Sequence, residues 1–149
     1  MLSLSLAAVG FASPPSQILI LGPHHSATSI VSRALGRMGL YLGEQEDLLL
    51  QESNPLKFWE RRDVVEVNRQ RLKQTTPAPG SRDAFPSFVG HGFDPASGSA
   101  LTASKAAQKV VEHLNEHRPW ATKDPRLSLL ASEWLPLLDQ NAVCIVTAS

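Results

Sequence analysis

Two short segments hold most of the side chains able to do chemistry. The first, Gly22-Pro23-His24-His25-Ser26-Ala27-Thr28-Ser29, is led by a glycine and rich in hydroxyls. Backbone N–H groups in such a turn, backed by a helix N-terminus, can cradle a phosphate, and the hydroxyls of Ser26, Thr28 and Ser29 can add donors. The same residues equally suit an ordinary strand-to-helix turn with capping hydroxyls. Against the triphosphate-binding pattern G-x-x-x-x-G-K-[ST] the segment departs twice, with Ala27 at the second glycine and Thr28 at the lysine. That argues against a Mg²⁺-dependent kinase or ATPase of the usual kind. The second segment, Trp120-Ala121-Thr122-Lys123-Asp124-Pro125-Arg126-Leu127, gathers a Lys, an Asp and an Arg. Alone it reads as a charged strand-to-helix turn, with Asp124 capping a helix that opens at Pro125. Beside the first segment, it gives Lys123 reach to the same phosphate from a neighbouring strand.

The elements that must position these residues alternate in kind. Gln17 to Leu21 is an unbroken apolar run ending at Gly22, suited to a strand buried on both faces. Ile30, Val31, Ala34, Leu35 and Met38 recur at helical spacing, and Gly39 supplies the stop. A second helix is expected from about Glu60 to Lys73, with Val64, Val65, Asn68 and Leu72 on one face. From 74 to 100, prolines and glycines break every period, which predicts a long loop. Ala103, Ala106, Ala107, Val110, Val111 and Leu114 mark an amphipathic helix. Trp120 to Thr122 reads as a short strand, Leu127 to Leu138 as a helix bent or ended near Pro136, and Ala142 to Val146 as a buried, interior strand. Strands alternating with helices predict an α/β fold: one domain over residues 1–149 built on a parallel sheet with right-handed crossovers. At a carboxyl end of such a sheet ligands bind.

Composition narrows the chemistry. Lys plus Arg and Asp plus Glu balance at 14 each, so no global basic field points to nucleic acid or an anionic membrane, and any anion site must be local. A single cysteine, Cys144, excludes a disulfide framework and a cysteine metal cluster. His113 and His117 stand four apart on a predicted helix; with no third ligand nearby, the expectation is solvated surface and no metal. Met1 to Ala12 is mildly apolar but lacks a basic start, no Lys or Arg preceding Arg33, which argues against a secretory signal. With no apolar run of membrane-spanning length, a soluble, cytoplasmic protein is expected.

Taken together, the segments resemble a known family. Gly22 to Ser29 is similar to the 5′-phosphosulfate-binding loop of sulfotransferases, written G-x-x-R-S-G-T-S in the bacterial-type branch. Phe58-Trp59-Glu60, followed by Val64 to Asn68, resembles that branch's N-x-x-G-x-W-E…N segment. Trp120 to Leu127, with Trp134 and Leu135 to Leu138 behind it, resembles its W-x-x-K-D-P-R-L…W-x-P-x-L block. The three matches fall in the family's order and span about Ile18 to Val146. The resemblance implies a three-layer fold with a P-loop-type strand–loop–helix start. It further implies an enzyme that moves a sulfuryl group from 3′-phosphoadenosine 5′-phosphosulfate to an acceptor hydroxyl or amine without a metal. By that resemblance, Gly22, His25, Ser26, Ala27, Thr28 and Ser29 wrap the donor's 5′-phosphate. Lys123 sits by the bridging oxygen, where a fixed cation stabilises the charge of the departing phosphate. Glu60 is the first candidate for the general base and Asp124 the second.

Several positions depart from the family's pattern. His25 stands for the loop's Arg, trading a permanent bidentate cation for a group that is mostly neutral at pH 7. Ala27 stands for a glycine, which opposes any left-handed backbone there, and Lys57 stands for another. The family's Arg-x-Pro turn and Ser-bearing helix, which hold the 3′-phosphate, have no counterpart after Val146, where the sequence reads Thr147-Ala148-Ser149. The expectation is therefore a partial domain with weak donor binding, little transfer activity, and self-association through an apolar sheet edge. A non-catalytic nucleotide or phosphate binder and a small-metabolite kinase are the alternatives. Neither acceptor nor partner is written in the residues.

Overall fold

A computed structural model describes residues 14–49, 59–75 and 104–148. Strand β1 (Gln17–Leu21) feeds a six-residue turn and helix α1 (Thr28–Arg37). Helix α2 (Arg62–Thr75) and helix α3 (Lys105–Asn115) precede strand β2 (Trp120–Lys123). Helix α4 (Leu127–Trp134) and a 3₁₀ turn at Leu135–Leu137 lead into strand β3 (Val143–Val146). The strands form a parallel α/β sheet in the order β2-β1-β3. Gln17 pairs with Trp120 and Ile20 with Lys123, while Ile18 pairs with Val143 and Leu21 with Val146.

Alternation along β1 divides the core in two, because successive strand residues point to opposite faces. Leu19 joins Trp120, Val64, Leu72, four residues of α3, and Leu127, Leu130 and Trp134 of α4. Ile18 and Ile20 join Ala121 and Leu42, with Val31 and Leu35 of α1 and Trp59 packed against them. The helix after β1 thus packs on one cluster and the helix after β2 on the other.

Most element ends follow from local chemistry. Gly39, at φ 96°, closes α1, with Leu40 N–H donating to Leu35 O and Gly39 N–H to Gly36 O, a Schellman arrangement. Ser104 caps α3, its hydroxyl accepting from Ala107 N–H at 3.1 Å. Pro136 ends α4 as its ring demands, the last turn tightening to 3₁₀. A second helix begins at Arg62 rather than Glu60, leaving Glu60 in an extended segment whose carbonyl accepts from Leu49 N–H at 2.8 Å. The predicted 74–100 loop lies almost wholly outside the described residues.

One strand differs from expectation. Ala142 to Val146 reads as interior, but β3 borders the sheet among the described residues and Val146 is 73% exposed. Val143 and Ile145 pack toward Ile18 and Ile20, whereas Cys144 and Val146 face outward. An apolar run records neither how many neighbours a strand has nor whether both its faces are covered. No helix among the described residues is long and apolar enough to cross a membrane.

Candidate functional site

The Gly22–Ser29 turn springs from the carboxyl end of the central strand and is drawn in on itself. Gly22 N–H donates to Ser128 Oγ at 2.9 Å, tying the turn to α4. Ser26 Oγ donates to Pro23 O at 2.6 Å and lies 2.8 Å from Thr147 Oγ1, just beyond β3. A Cβ on Gly22 would fall 2.6 Å from Ser26 Oγ and 2.9 Å from Thr147 O, so only glycine fits. Ser26 was expected to offer its hydroxyl to an anion; its single proton is instead committed to the turn.

The backbone then reverses twice through the left-handed region, at His25 (φ 66°) and Ala27 (φ 64°). Ala27 is the N-cap of α1 and no side chain caps the helix, so the capping role expected of the turn's hydroxyls is absent. Among the described residues no acceptor meets the N–H groups of Ala27, Thr28 and Ser29. Three backbone donors at the positive end of a helix dipole are what an anion seeks. The alanine-for-glycine departure at 27 therefore falls on a residue whose backbone is left-handed.

The reversal decides which histidine faces inward. His25, taken as the counterpart of the loop's Arg, is exposed. His24 is half-buried, and burial holds its imidazole below the ordinary value. Glu60 opposes that shift, Arg126 and Lys123 add to it, and Asp124 opposes it. Three of the four charges felt by His24 belong to the second segment and the fourth is Glu60, so the turn, the second segment and Glu60 share one neighbourhood.

In that neighbourhood the acidic and basic groups are paired and buried. Lys123, at the end of β2, donates from Nζ to Glu60 Oε1 at 2.7 Å, with the two residues 3% and 5% exposed. Asp124 is fully buried and collects three bonds: from Asn68 Nδ2 at 2.9 Å, Arg126 N–H at 3.1 Å and Arg126 Nη1 at 2.8 Å. Asn68 Oδ1 in turn accepts from Trp134 Nε1 at 2.9 Å. Asp124 thereby locks α2, the β2 end and α4 together, and caps the turn at Arg126 rather than a helix opening at Pro125. Arg126 Nε and Thr122 Oγ1 are buried without a hydrogen-bond partner among the described residues. Buried polar groups are seldom left so.

Comparison with protein families, curated proteins and solved structures finds no match. The site must be read from its own chemistry. It comprises helix-start N–H groups that meet no acceptor among the described residues, a buried Lys, an Arg whose Nε has no partner among them, and an imidazole whose proton affinity burial lowers. Backbone N–H runs and charged donors are the groups by which proteins hold oxyanions. Sequence reasoning missed His24 as the inward histidine and Arg126 as a donor; the Lys-Asp-Pro-Arg run held a signal for Arg126, but none distinguished His24 from His25.

Proposed function

We propose that this protein binds the 5′-phosphosulfate end of 3′-phosphoadenosine 5′-phosphosulfate and belongs with P-loop-type, three-layer sulfotransferases. The observation that supports the reading is the register of the sheet: Lys123 ends β2 beside Ile20 of β1, and the turn after β1 carries His24 within the electrostatic reach of Lys123 and Arg126. The following helices, α4 and α1, depart there to opposite core clusters, leaving a crevice at the strand ends. That crevice is where open α/β sheets take nucleotides. Backbone N–H groups of Ala27, Thr28 and Ser29 receive the phosphate oxygens, and Lys123 neutralises the charge that develops on the departing phosphate. Arg126 Nε supplies a further donor. The donor nucleotide brings the transferable sulfuryl group; these residues orient it. His25 lies outside this set in the proposal, and Ser26 and Gly22 shape the turn.

A binder without transfer is the second reading, favoured by one feature: neither carboxylate is open to an acceptor proton. Glu60 is engaged by Lys123, and Asp124 is fully buried among three donors. Calorimetric titration with adenosine 3′,5′-bisphosphate in metal-free buffer tests the shared claim. Saturable binding is expected, and Lys123→Ala should weaken it by about 1.5–3 kcal/mol, roughly ten- to a hundredfold. Absence of binding at millimolar bisphosphate would overturn both readings. Transfer from labelled donor to a panel of sugar, alcohol and amine acceptors separates them.

A further inference from the structure

A second polar constellation lies at the other end of β2. Helix α3 closes through 3₁₀-type bonds, Glu116 N–H to His113 O at 3.1 Å and His117 N–H to Leu114 O at 3.0 Å. The tightened turn gathers His113, Glu116 and His117, each offering a ligand atom, with all three atoms within 4.8 Å of one another. No third ligand was expected beside the two histidines; Glu116 supplies it. We infer that this trio binds a divalent transition-metal ion of the Zn²⁺ class.

Ligand type, spacing and orientation each support the assignment. Two imidazoles and one carboxylate suit Zn²⁺, whereas Ca²⁺ and Mg²⁺ prefer sites built from oxygen. His113 Nδ1 and Glu116 Oε2 are 3.4 Å apart. That is about the edge of a tetrahedron whose metal–ligand bonds are about 2.0–2.1 Å. The His113 and His117 rings meet edge to face with centroids 5.4 Å apart, and His117 offers a ring nitrogen within 4.8 Å of the other two ligand atoms. His117 is itself oriented, its ring stacked on Tyr41 at 4.2 Å and 16°. Tyr41 is fixed to the sheet, its N–H donating to Pro119 O and its carbonyl accepting from Ala121 N–H. A helix-end ion pair alone would account for His113 and Glu116 but not for the stacked His117. All three residues are exposed, so a fourth position stays open to water or another ligand. The site is independent of the anion reading, lying before Trp120 at the start of β2, whereas Lys123 ends it.

The test uses the full, untagged chain, stripped with chelator and titrated calorimetrically with ZnCl₂ and, separately, MgCl₂. One equivalent of Zn²⁺ should bind and Mg²⁺ should not. At a hundredfold excess of ZnCl₂ over the measured Kd, the Tm should rise by about 5 °C or more. His113→Ala and His117→Ala should each weaken Zn²⁺ binding at least tenfold, while a triple variant replacing the other three of the five histidines in the sequence, His24→Ala/His25→Ala/His91→Ala, retains it. CoCl₂ should give visible absorption in the parent and the triple variant but not in His117→Ala. No Zn²⁺ binding below millimolar concentration would overturn the inference. So would binding that survives a His113→Ala/His117→Ala variant, or that is lost in the triple variant.

Discussion

Replacing Ala27 by glycine should stabilise the protein, although glycine usually weakens a helix. Ala27 is exposed and sits at φ 64°, ψ 11° as the N-cap of α1. An L side chain there meets the adjacent carbonyl, costing about 1–2 kcal/mol. Glycine removes that cost but raises the entropy of the unfolded chain by the equivalent of about 0.4–1 kcal/mol. The exposed methyl contributes little burial, so the net gain is about 0.5–1 kcal/mol, or roughly 1–4 °C in Tm for a chain of this size. Ala34, exposed in the middle of α1, is the internal control: Ala34→Gly should cost about 1 kcal/mol. Urea unfolding of the parent and both variants, followed by tryptophan fluorescence, measures the contrast. If Ala27→Gly destabilises as Ala34→Gly does, residue 27 is not left-handed and the geometry assigned to the turn is wrong.

Lys123→Met should cost about 3–5 kcal/mol by stranding the buried Glu60 carboxylate, whereas Lys123→Met/Glu60→Leu should cost less than the single change; strictly additive urea midpoints would refute the pairing. Gly22→Ala should destabilise by more than 1 kcal/mol, because its Cβ meets Ser26 Oγ and Thr147 O; Tm measured by circular dichroism should fall, and an unchanged Tm would show the turn to be open. Since the folded-state pKa of His24 is lowered, the unfolded state takes up its proton first. Stability is then full above the ordinary histidine value and falls as pH drops below it. His24→Gln should flatten that decline between about pH 7 and pH 5, and identical pH profiles for parent and variant would contradict the burial of the ring.

Local signals in the residues carried much of this architecture. The apolar run at Gln17–Leu21, the glycine at 39 and the proline at 136 each act within a turn of their own position, and each element ends where they require. Partners distant along the chain were hidden. Glu60 and Lys123 are joined only because β2 lies beside β1 and the extended segment before α2 crosses its end. Which of two adjacent histidines turns inward depends on two backbone reversals, one at an alanine, where propensity speaks against them. Asp124 illustrates the opposite failure. Its residue type fits a proton acceptor, yet the fold spends all its reach on Asn68 and Arg126.

Because Asp124 is tied through Asn68 to Trp134, the two walls of the crevice should differ in how they exchange amide hydrogen with solvent. The Lys123–Arg126 wall is anchored to the packed core, so its protected amides can open only with α2 and α4, close to global unfolding. Opposite it, the N–H groups of Ala27, Thr28 and Ser29 meet no acceptor among the described residues, so their exchange should need no hydrogen bond to break. An anion arriving there would meet a rigid cation on one side and on the other amides that gain their first partner. Deuterium uptake at residues 27–29 would slow on binding while that at residues 123–126 stayed as it was, reading occupancy of the crevice directly from the backbone.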